Sequence, residues 1–129
     1  MQVKIEIVEA PLEEHVARPE ARAAVGALAE FWGTVRDEES GARIEALHYE
    51  AYEKMAKRQM ETILLDLGTT FPCEHVHVVH RRGWVPVKEA AIYVGVQSRH
   101  RKEAFGLLTA FMDRLKQDVP IWKTETKPR

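Results

Sequence analysis

This sequence lacks disulfide chemistry, a membrane anchor and a dominant charge. Its 129 residues include one cysteine, Cys73, which cannot form an internal disulfide and is typical of a reducing compartment, so we predict a cytoplasmic protein. No apolar run approaches the roughly 20 residues of a membrane-spanning helix, and the N-terminus has no signal-peptide pattern. The net charge of -1 argues against general nucleic-acid binding, which usually needs a strongly basic surface. We therefore expect neither a membrane nor a nucleic acid as a partner.

Length and composition are typical of one globular domain. The content of 45% hydrophobic and 30% charged residues suits a folded chain, and 129 residues are enough to build a hydrophobic core. We find no internal repeat, low-complexity tract or linker. Residues 1–129 are therefore predicted to form a single domain.

Hydrophobic periodicity predicts five strands and two helices. The strands are expected over residues 3–7, 26–36, 43–52, 74–82 and 89–97, with turns at 37–41 and 83–87. The first helix is expected over residues 53–67, with Gly68 as its C-terminal stop. The second begins with Ser98 as N-cap and stops before Pro120, after which residues 121–123 are extended. The fold class that follows is α+β, with two helices packed on a mainly antiparallel sheet.

Positive charge is concentrated in and after the second helix. Residues 98–129 hold eight Lys/Arg and four Asp/Glu, in a chain that is nearly neutral overall. His100 and Arg101 open the helix, where exposed N–H groups and cationic side chains suit an anion. Lys116 lies at the edge of the apolar face and Lys123 follows seven residues later, so we expect both to be partly shielded from water and to converge on one pocket. The alternative is that these are ordinary surface cations.

Two other features are interpreted as structural. On a strand, His75 and His77 share one face and His80 points to the other, so the three histidines are not expected to bind a metal. Cys73 has no helix N-terminus or clear basic partner that would lower its pKa, which argues against a reactive thiol. We therefore predict neither a metal nor a cofactor.

Six short motifs, in register over about four-fifths of the chain, resemble one known family. They are GTVR at 33–36, YEAY at 49–52 with MA at 55–56, HRxG at 80–83, HR at 100–101, LK at 115–116 and PIWKxE at 120–125. In these motifs the sequence resembles the large, catalytic subunit of molybdopterin synthase, the MoaE family. The resemblance implies an α/β-hammerhead fold with an antiparallel sheet. Lys88 stands where the family usually has glycine, so we expect that turn to differ in shape.

The resemblance also implies a sulfurtransferase activity. Members of this family convert cyclic pyranopterin monophosphate, called precursor Z, into molybdopterin by building its dithiolene. The sulfur arrives as a thiocarboxylate at the C-terminal Gly-Gly of a small ubiquitin-like carrier subunit. Precursor Z and that carrier are therefore the expected partners.

Carried over position by position, the resemblance implies a set of site residues. Lys116 and Lys123 match the two lysines to which the family assigns catalysis. The implied substrate contacts are Thr34, Val35, Arg36, His100, Arg101, Lys116, Lys123, Thr124 and Glu125. We expect Phe31 and Met112, two apolar residues at the mouth of the site, to contact the carrier's tail.

Helix geometry predicts that two subunits share each site. Arg101 and Lys116 are fifteen residues apart, which is about 22 Å along one helix at about 1.5 Å per residue. The resemblance assigns both to one site, so we expect a homodimer in which each subunit completes the pocket of the other, at the centre of a heterotetramer. Two alternatives from other classes are a non-catalytic phosphate- or nucleotide-binding module and a structural dimerisation domain.

Overall fold

The structure is a computed structural model that describes residues 1–20 and 22–129. Within them the chain forms eight strands, two α-helices and a short 3-10 helix, Leu12–Glu14. The strands are β1 (Gln2–Val8), β2 (Ala27–Thr34), β3 (Glu38–Glu39), β4 (Ala42–Ala51), β5 (His75–Arg81), β6 (Gly83–Pro86), β7 (Ala90–Ser98) and β8 (Ile121–Pro128). The helices are α1 (Glu53–Thr70) and α2 (Arg101–Asp118). None of the described helices is long and apolar enough to cross a membrane.

The first sheet carries the main core. Its strand order is β1-β5-β7-β2; β1 and β5 are parallel, whereas β7 is antiparallel to β5 and β2. Both helices pack on one face of this sheet, where α2 contributes a buried stripe at helical spacing: Ala104, Leu107, Phe111 and Leu115. β7 is buried along its whole length because it has a strand on each side, α2 on one face and the 3-10 helix on the other.

The second sheet is built around β4 and positions the C-terminal strand. β4 pairs antiparallel with β3, β6 and β8. A smaller core cluster joins this sheet to the first, since Val35 follows β2 and Ala91 belongs to β7, while Ile44, Leu47 and Val85 come from β4 and β6. The C-terminal strand is therefore fixed to the main body of the fold.

The predicted α+β class is confirmed, and each predicted strand and helix is present. The turn predicted over residues 83–87 is wrong, because Gly83–Pro86 forms β6 against β4. Pro86 is tolerated there because it ends an edge strand. The extended segment predicted over residues 121–123 is the start of a longer strand, since β8 continues to Pro128.

Two of the three predicted helix-end signals are wrong, whereas α2 ends before Pro120 as predicted. Gly68 does not end α1, which continues for two more residues and closes on a backbone hydrogen bond donated by Phe71. Ser98 is not the N-cap of α2: that residue is His100, and its side chain makes no capping hydrogen bond. Ser98 is instead the last residue of β7, and its hydroxyl donates to the carbonyl of His100.

The turn before β7 contains a conformation that favours glycine. Lys88 has φ 78°, in the left-handed region that side chains other than glycine rarely adopt. This is the position where the resemblance expects glycine. Two backbone hydrogen bonds hold this turn against Val35. Lys88 N–H donates to the carbonyl of Val35, and Val35 N–H donates to the carbonyl of Glu89.

His80 is a polar side chain inside the core. It is 6% exposed, and its Nδ1 lies 2.9 Å from the backbone carbonyl oxygen of Arg81. A carbonyl can only accept, so Nδ1 carries the proton and Nε2 is left as the unprotonated acceptor. Burial lowers the pKa of His80 to about 4, although the hydrogen bond to Arg81 acts in the opposite direction. His80 is therefore neutral at pH 7.

Two helical glycines are expected to respond in opposite ways to alanine. A methyl group at Gly106 in α2 would collide with the ring of Phe71, so Gly106→Ala should lower the free energy of unfolding by about 1–3 kcal/mol. At Gly68 in α1 the methyl group would meet only the flexible end of Met1, at 3.0 Å. Gly68→Ala should therefore raise stability by up to about 1 kcal/mol through helix propensity. Urea denaturation followed by circular dichroism checks both signs, and stabilisation by both variants would contradict the packing.

The buried histidine predicts a loss of stability in acid. The pKa of His80 falls from its ordinary 6.5 to about 4 in the folded state, so the unfolded chain binds the proton first as the pH falls. The stability that this lowered pKa contributes is fully present above pH 6.5. The free energy of unfolding should fall by about 2–3 kcal/mol between pH 7 and pH 4.5. Urea denaturation at the two pH values should show a smaller loss in His80→Gln than in the wild type. Equal losses would mean that His80 is not buried in its neutral form.

Candidate functional site

A pocket of about 490 Å³ opens between β2, the C-terminal half of α2 and the start of β8. This volume is typical of sites for small molecules. Five of the residues predicted from the sequence line it: Phe31, Thr34, Met112, Lys116 and Lys123. The two predicted catalytic lysines therefore face the same cavity.

Lys116 reaches the pocket because it stands at the boundary of the buried face of α2. Leu115, the residue before it, ends the buried stripe, and Met112, one turn earlier, is half-buried and also lines the pocket. Lys116 itself is exposed. Among the described residues its ammonium has no carboxylate within ion-pair distance, whereas Arg114 on the same helix is paired with Asp66. The charge of Lys116 is thus available to a ligand.

Lys123 is brought to the pocket by the strand that follows α2. Pro120 ends the helical path, and its carbonyl accepts a hydrogen bond from Tyr52 N–H at 3.2 Å. β8 then runs along β4 with Lys123 opposite Tyr49. The Lys123 ammonium lies 3.2 Å from Oε2 of Glu39, which is on the β3 hairpin strand.

Both lysines are less shielded from water than the sequence predicted. Lys116 is exposed, and the side chain of Lys123 is 47% exposed. The prediction used the position of each residue relative to apolar neighbours, but a long side chain at such a boundary extends into solvent. The lysines are therefore distinguished by their convergence on one pocket and by the Glu39 partner of Lys123.

Tyr49 and His80 form a neutral part of the pocket wall. Their rings are in edge-to-face contact, with centroids 5.5 Å apart. Burial, and secondarily the charge of Glu39, raises the pKa of the Tyr49 hydroxyl, so it stays protonated. The sequence motifs contained both residues, but nothing in the sequence alone indicated that they would lie beside the lysines.

Six of the nine predicted substrate contacts, including Val35 and Arg36, do not line this pocket. His100 and Arg101 are exposed at the first turn of α2, at the opposite end of that helix from Lys116. Thr124 and Glu125 follow Lys123 on β8 and line a smaller cavity of about 240 Å³. The hydroxyl of Thr124 lies 2.9 Å from Nδ1 of His48, so it is already engaged within the protein.

Val35 and Arg36 lie just beyond the end of β2. The side chain of Val35 is 4% exposed and packs in the smaller core cluster. Arg36 is exposed and lies two residues after Thr34, which lines the pocket. Of the predicted phosphate contacts, Arg36 is therefore the closest in sequence to a residue that lines the pocket.

The other titratable groups singled out in the sequence lie elsewhere. His75 and His77 are on the opposite face of the first sheet from His80, as strand alternation predicts. Burial, followed by the charges of Glu103 and Glu74, raises the pKa of the Cys73 thiol to about 11. Because the thiolate is the reactive form of cysteine, Cys73 is unreactive at neutral pH.

Comparison with known proteins agrees with this fold. The family model described as MoaE protein matches residues 5–118. A molybdopterin synthase catalytic subunit from Drosophila erecta is 40% identical over 123 residues, a match that covers 94% of this chain and 34% of the fly protein. The chain thus spans about a third of the length of that relative.

Solved structures show the same architecture. Molybdopterin synthase from Staphylococcus aureus is similar with a TM-score of 0.80 and 31% identity, and the match covers 95% of this chain and 93% of that chain. A complex of subunits 1 and 2 of the molybdopterin-converting factor from Helicobacter pylori contains a chain with the same fold, at a TM-score of 0.72, 22% identity and coverages of 98% and 88%. From the family match over residues 5–118, together with the shared fold, the chain belongs to the MoaE family.

Proposed function

We propose that this chain is the catalytic subunit of a molybdopterin synthase. It would transfer sulfur from a thiocarboxylated small carrier subunit to precursor Z, a cyclic pyranopterin monophosphate, and so form the dithiolene of molybdopterin, with the cytoplasm as its proposed location. The observation that carries the proposal is the convergence of Lys116 and Lys123 on one pocket of about 490 Å³ in a member of the MoaE family.

The two lysines supply the charge that this chemistry needs. A thiocarboxylate is an anion, and negative charge develops on oxygen when sulfur adds and water leaves. An ammonium group within the pocket stabilises such charge and can transfer a proton. Lys123 is held by Glu39, while Lys116 keeps an unpaired ammonium within the described part of the chain. This difference suits Lys116 to contact the reacting atoms and Lys123 to hold a fixed position.

The apolar side of the pocket suits the carrier's tail. Phe31 and Met112 line it, and Phe31 is 37% exposed. A Gly-Gly tail has no side chains and can pass between such residues, whereas a bulkier tail would collide with them. The H. pylori structure is itself a complex of two subunits, which supports a small-subunit partner for this fold.

The position of β2 supports a homodimer with shared sites. β2 is an edge strand of the first sheet and exposes three large apolar residues, Leu28, Phe31 and Trp32. An exposed apolar edge of this kind is a template for pairing with another chain. We propose that two copies pair through this edge about a two-fold axis.

Such pairing would resolve the separation of the phosphate contacts. Gly26 N–H donates to the carbonyl of Ser98 at 3.0 Å, so the start of β2 lies beside the start of α2, and Arg36 follows the other end of β2. Eight strand residues separate these ends by about 26 Å. Antiparallel pairing of two β2 strands places Arg36 of one subunit beside the partner's His100 and the partner's Arg101. These three cationic side chains can then hold one substrate phosphate.

The lysine variants test the chemistry. Lys116→Ala or Lys123→Ala should lower turnover by about 10²-fold or more, because a positioned charge and proton donor is removed. Lys→Arg should fail at either position, since guanidinium does not release a proton at working pH. The measurement is molybdopterin formed from precursor Z and thiocarboxylated carrier.

Lys127→Ala is the matched control for these variants. Lys127 lies on β8 beyond the pocket and is paired with Glu45 at 3.7 Å, so its loss should leave turnover unchanged. A lysine-pocket variant that works within a few-fold of the wild type removes that lysine from the mechanism. A protein that binds precursor Z but forms no dithiolene would instead be a non-catalytic phosphate-binding module.

Complementation tests the shared site. Arg101→Ala and Lys116→Ala proteins are mixed under conditions that let subunits exchange. If each pocket takes its lysines from one chain and Arg101 from the other, heterodimers regain one intact pocket and activity recovers toward half of the wild-type value. Proven exchange without recovery, or a fully active monomer, would refute the shared site.

A further inference from the structure

The lysine pocket, which is the cavity lined by Lys116 and Lys123, is also lined by His80. We propose that His80 is a substrate contact of this pocket, whose Nε2 accepts a hydrogen bond from an O–H or N–H group in the uncharged part of the substrate. The inference rests on the proposed function and adds to it how the substrate is oriented. Lysine and arginine side chains cannot supply such an acceptor, because ammonium and guanidinium groups only donate.

The register of the first sheet places His80 on the side of the pocket. His80 pairs across the strands with Ile92 on β7, and Ile92 pairs with Gly33 on β2. All three residues line the lysine pocket. Val76 and Val78, at alternate positions of β5, belong to the main core under the helices, so His80 faces the same way. The three residues therefore form one row across the sheet face that bounds the pocket.

Two contacts fix the orientation of the His80 ring. Nδ1 donates to the backbone carbonyl of Arg81 at 2.9 Å, which determines the tautomer. The ring also meets that of Tyr49 edge to face, with centroids 5.5 Å apart. Nε2 is thus an acceptor with a fixed direction, and a ligand that uses it does not have to order the side chain first.

Nε2 is accessible although His80 as a whole is 6% exposed. The hydrogen bond that His80 makes within the described part of the chain uses Nδ1. The enclosed side-chain atoms of the described residues that lack any partner belong to Gln59, Arg81, Gln97 and Glu103, and Nε2 of His80 is not among them. An unpartnered atom that is not enclosed keeps accessible surface, and the cavity beside His80 is the lysine pocket.

The physical state of His80 indicates hydrogen bonding instead of proton transfer. Burial lowers the pKa of His80 to about 4, so Nε2 is unprotonated at pH 7 and is too weak a base to keep a proton that it takes up. An uncharged nitrogen with a free lone pair attracts a donor hydrogen and repels the oxygens of a phosphate. The group that meets Nε2 is therefore an O–H or N–H group.

Donors and acceptors are thus divided within the lysine pocket. Lys116 and Lys123 attract the anionic parts of the reactants, whereas His80 accepts from a neutral group. A substrate that has both a phosphate and a neutral donor group can then bind in one orientation. Its donor points toward the sheet and its charge points toward the cations.

Asparagine and glutamine separate the two nitrogens of His80. The amide of Asn stands as many bonds from the backbone as Nδ1, so His80→Asn keeps the hydrogen bond to Arg81 and removes the acceptor at Nε2. The amide of Gln stands as far out as Nε2, so His80→Gln keeps an acceptor there. Calorimetric titration of the complete chain with precursor Z should show binding about tenfold weaker or more in His80→Asn. Binding by His80→Gln, the matched control, should stay within a few-fold of the wild type.

Turnover with thiocarboxylated carrier is the second measurement. His80→Asn should raise KM by about tenfold and change kcat by no more than a few-fold, because the contact is made in the ground state and in the transition state alike. A variant that displaces the lysines would lower kcat instead.

Nitrogen NMR tests the same contact in the wild type, without a substitution. Precursor Z should shift the nitrogen resonance of Nε2 in His80 and leave that of Nδ1 nearly unchanged, since Nδ1 stays bonded to Arg81. His75, on the opposite face of the first sheet, is the control and should not respond. An unmoved Nε2 resonance in the saturated complex would overturn the contact even if neither variant folds.

The variants can overturn the proposal in two ways. Unchanged binding in His80→Asn would mean that Nε2 touches no ligand. The reverse order, with His80→Asn active and His80→Gln impaired, would show that His80 serves only the hydrogen bond to Arg81. A wild type that binds precursor Z with the expected pattern but forms no molybdopterin would instead refute the proposed sulfurtransferase and confirm the contact.

Discussion

The reversal of the chain at Pro120 is the constraint on which the candidate site depends. α2 places Lys116 at the end of its buried stripe, and without a stop the helix would carry the next lysine away from it. Pro120 prevents that continuation, and the chain returns along β4 as β8, which brings Lys123 to the same cavity. The hydrogen bond from Tyr52 to Pro120 fixes the reversal to the start of α1. The end of α2, the pairing of β8 with β4 and the meeting of the two lysines therefore all depend on this reversal.

The pocket combines cationic walls with a neutral, partly aromatic interior. His80 is neutral because burial lowers its pKa, and Tyr49 is neutral because burial raises the pKa of its hydroxyl. A neutral His80 does not compete with the lysines for an anion. A protonated Tyr49 does not repel that anion. Glu39 sits at the edge of this arrangement and balances Lys123. A small acidic ligand therefore meets its strongest attraction at Lys116.

The first sheet serves different purposes on its two faces and its edge. The helix face carries the main core and one wall of the lysine pocket. On the other face Tyr93 and Gln97 are buried, and the cations Lys4, Arg18 and Arg22 lie around them. The β2 edge presents exposed apolar residues instead of the charges that usually protect an edge strand. The lysine pocket and the β2 edge are thus left open in a way that suits a ligand and a partner.

The sequence by itself determined five of the eight strands, both α-helices and the fold class, because alternation and helical periodicity are local properties. It also determined that Lys116 and Lys123 flank a helix stop, since Pro120 acts through its own ring and missing N–H. It could not determine that Gly83–Pro86 pairs with β4, that Ser98 ends a strand instead of capping a helix, or that both lysines are exposed. Those outcomes depend on which residues approach from distant parts of the chain. For the same reason only the tertiary structure revealed Tyr49 and His80 beside the lysines and an unsatisfied Gln97 on the opposite face, where strands far apart in sequence meet.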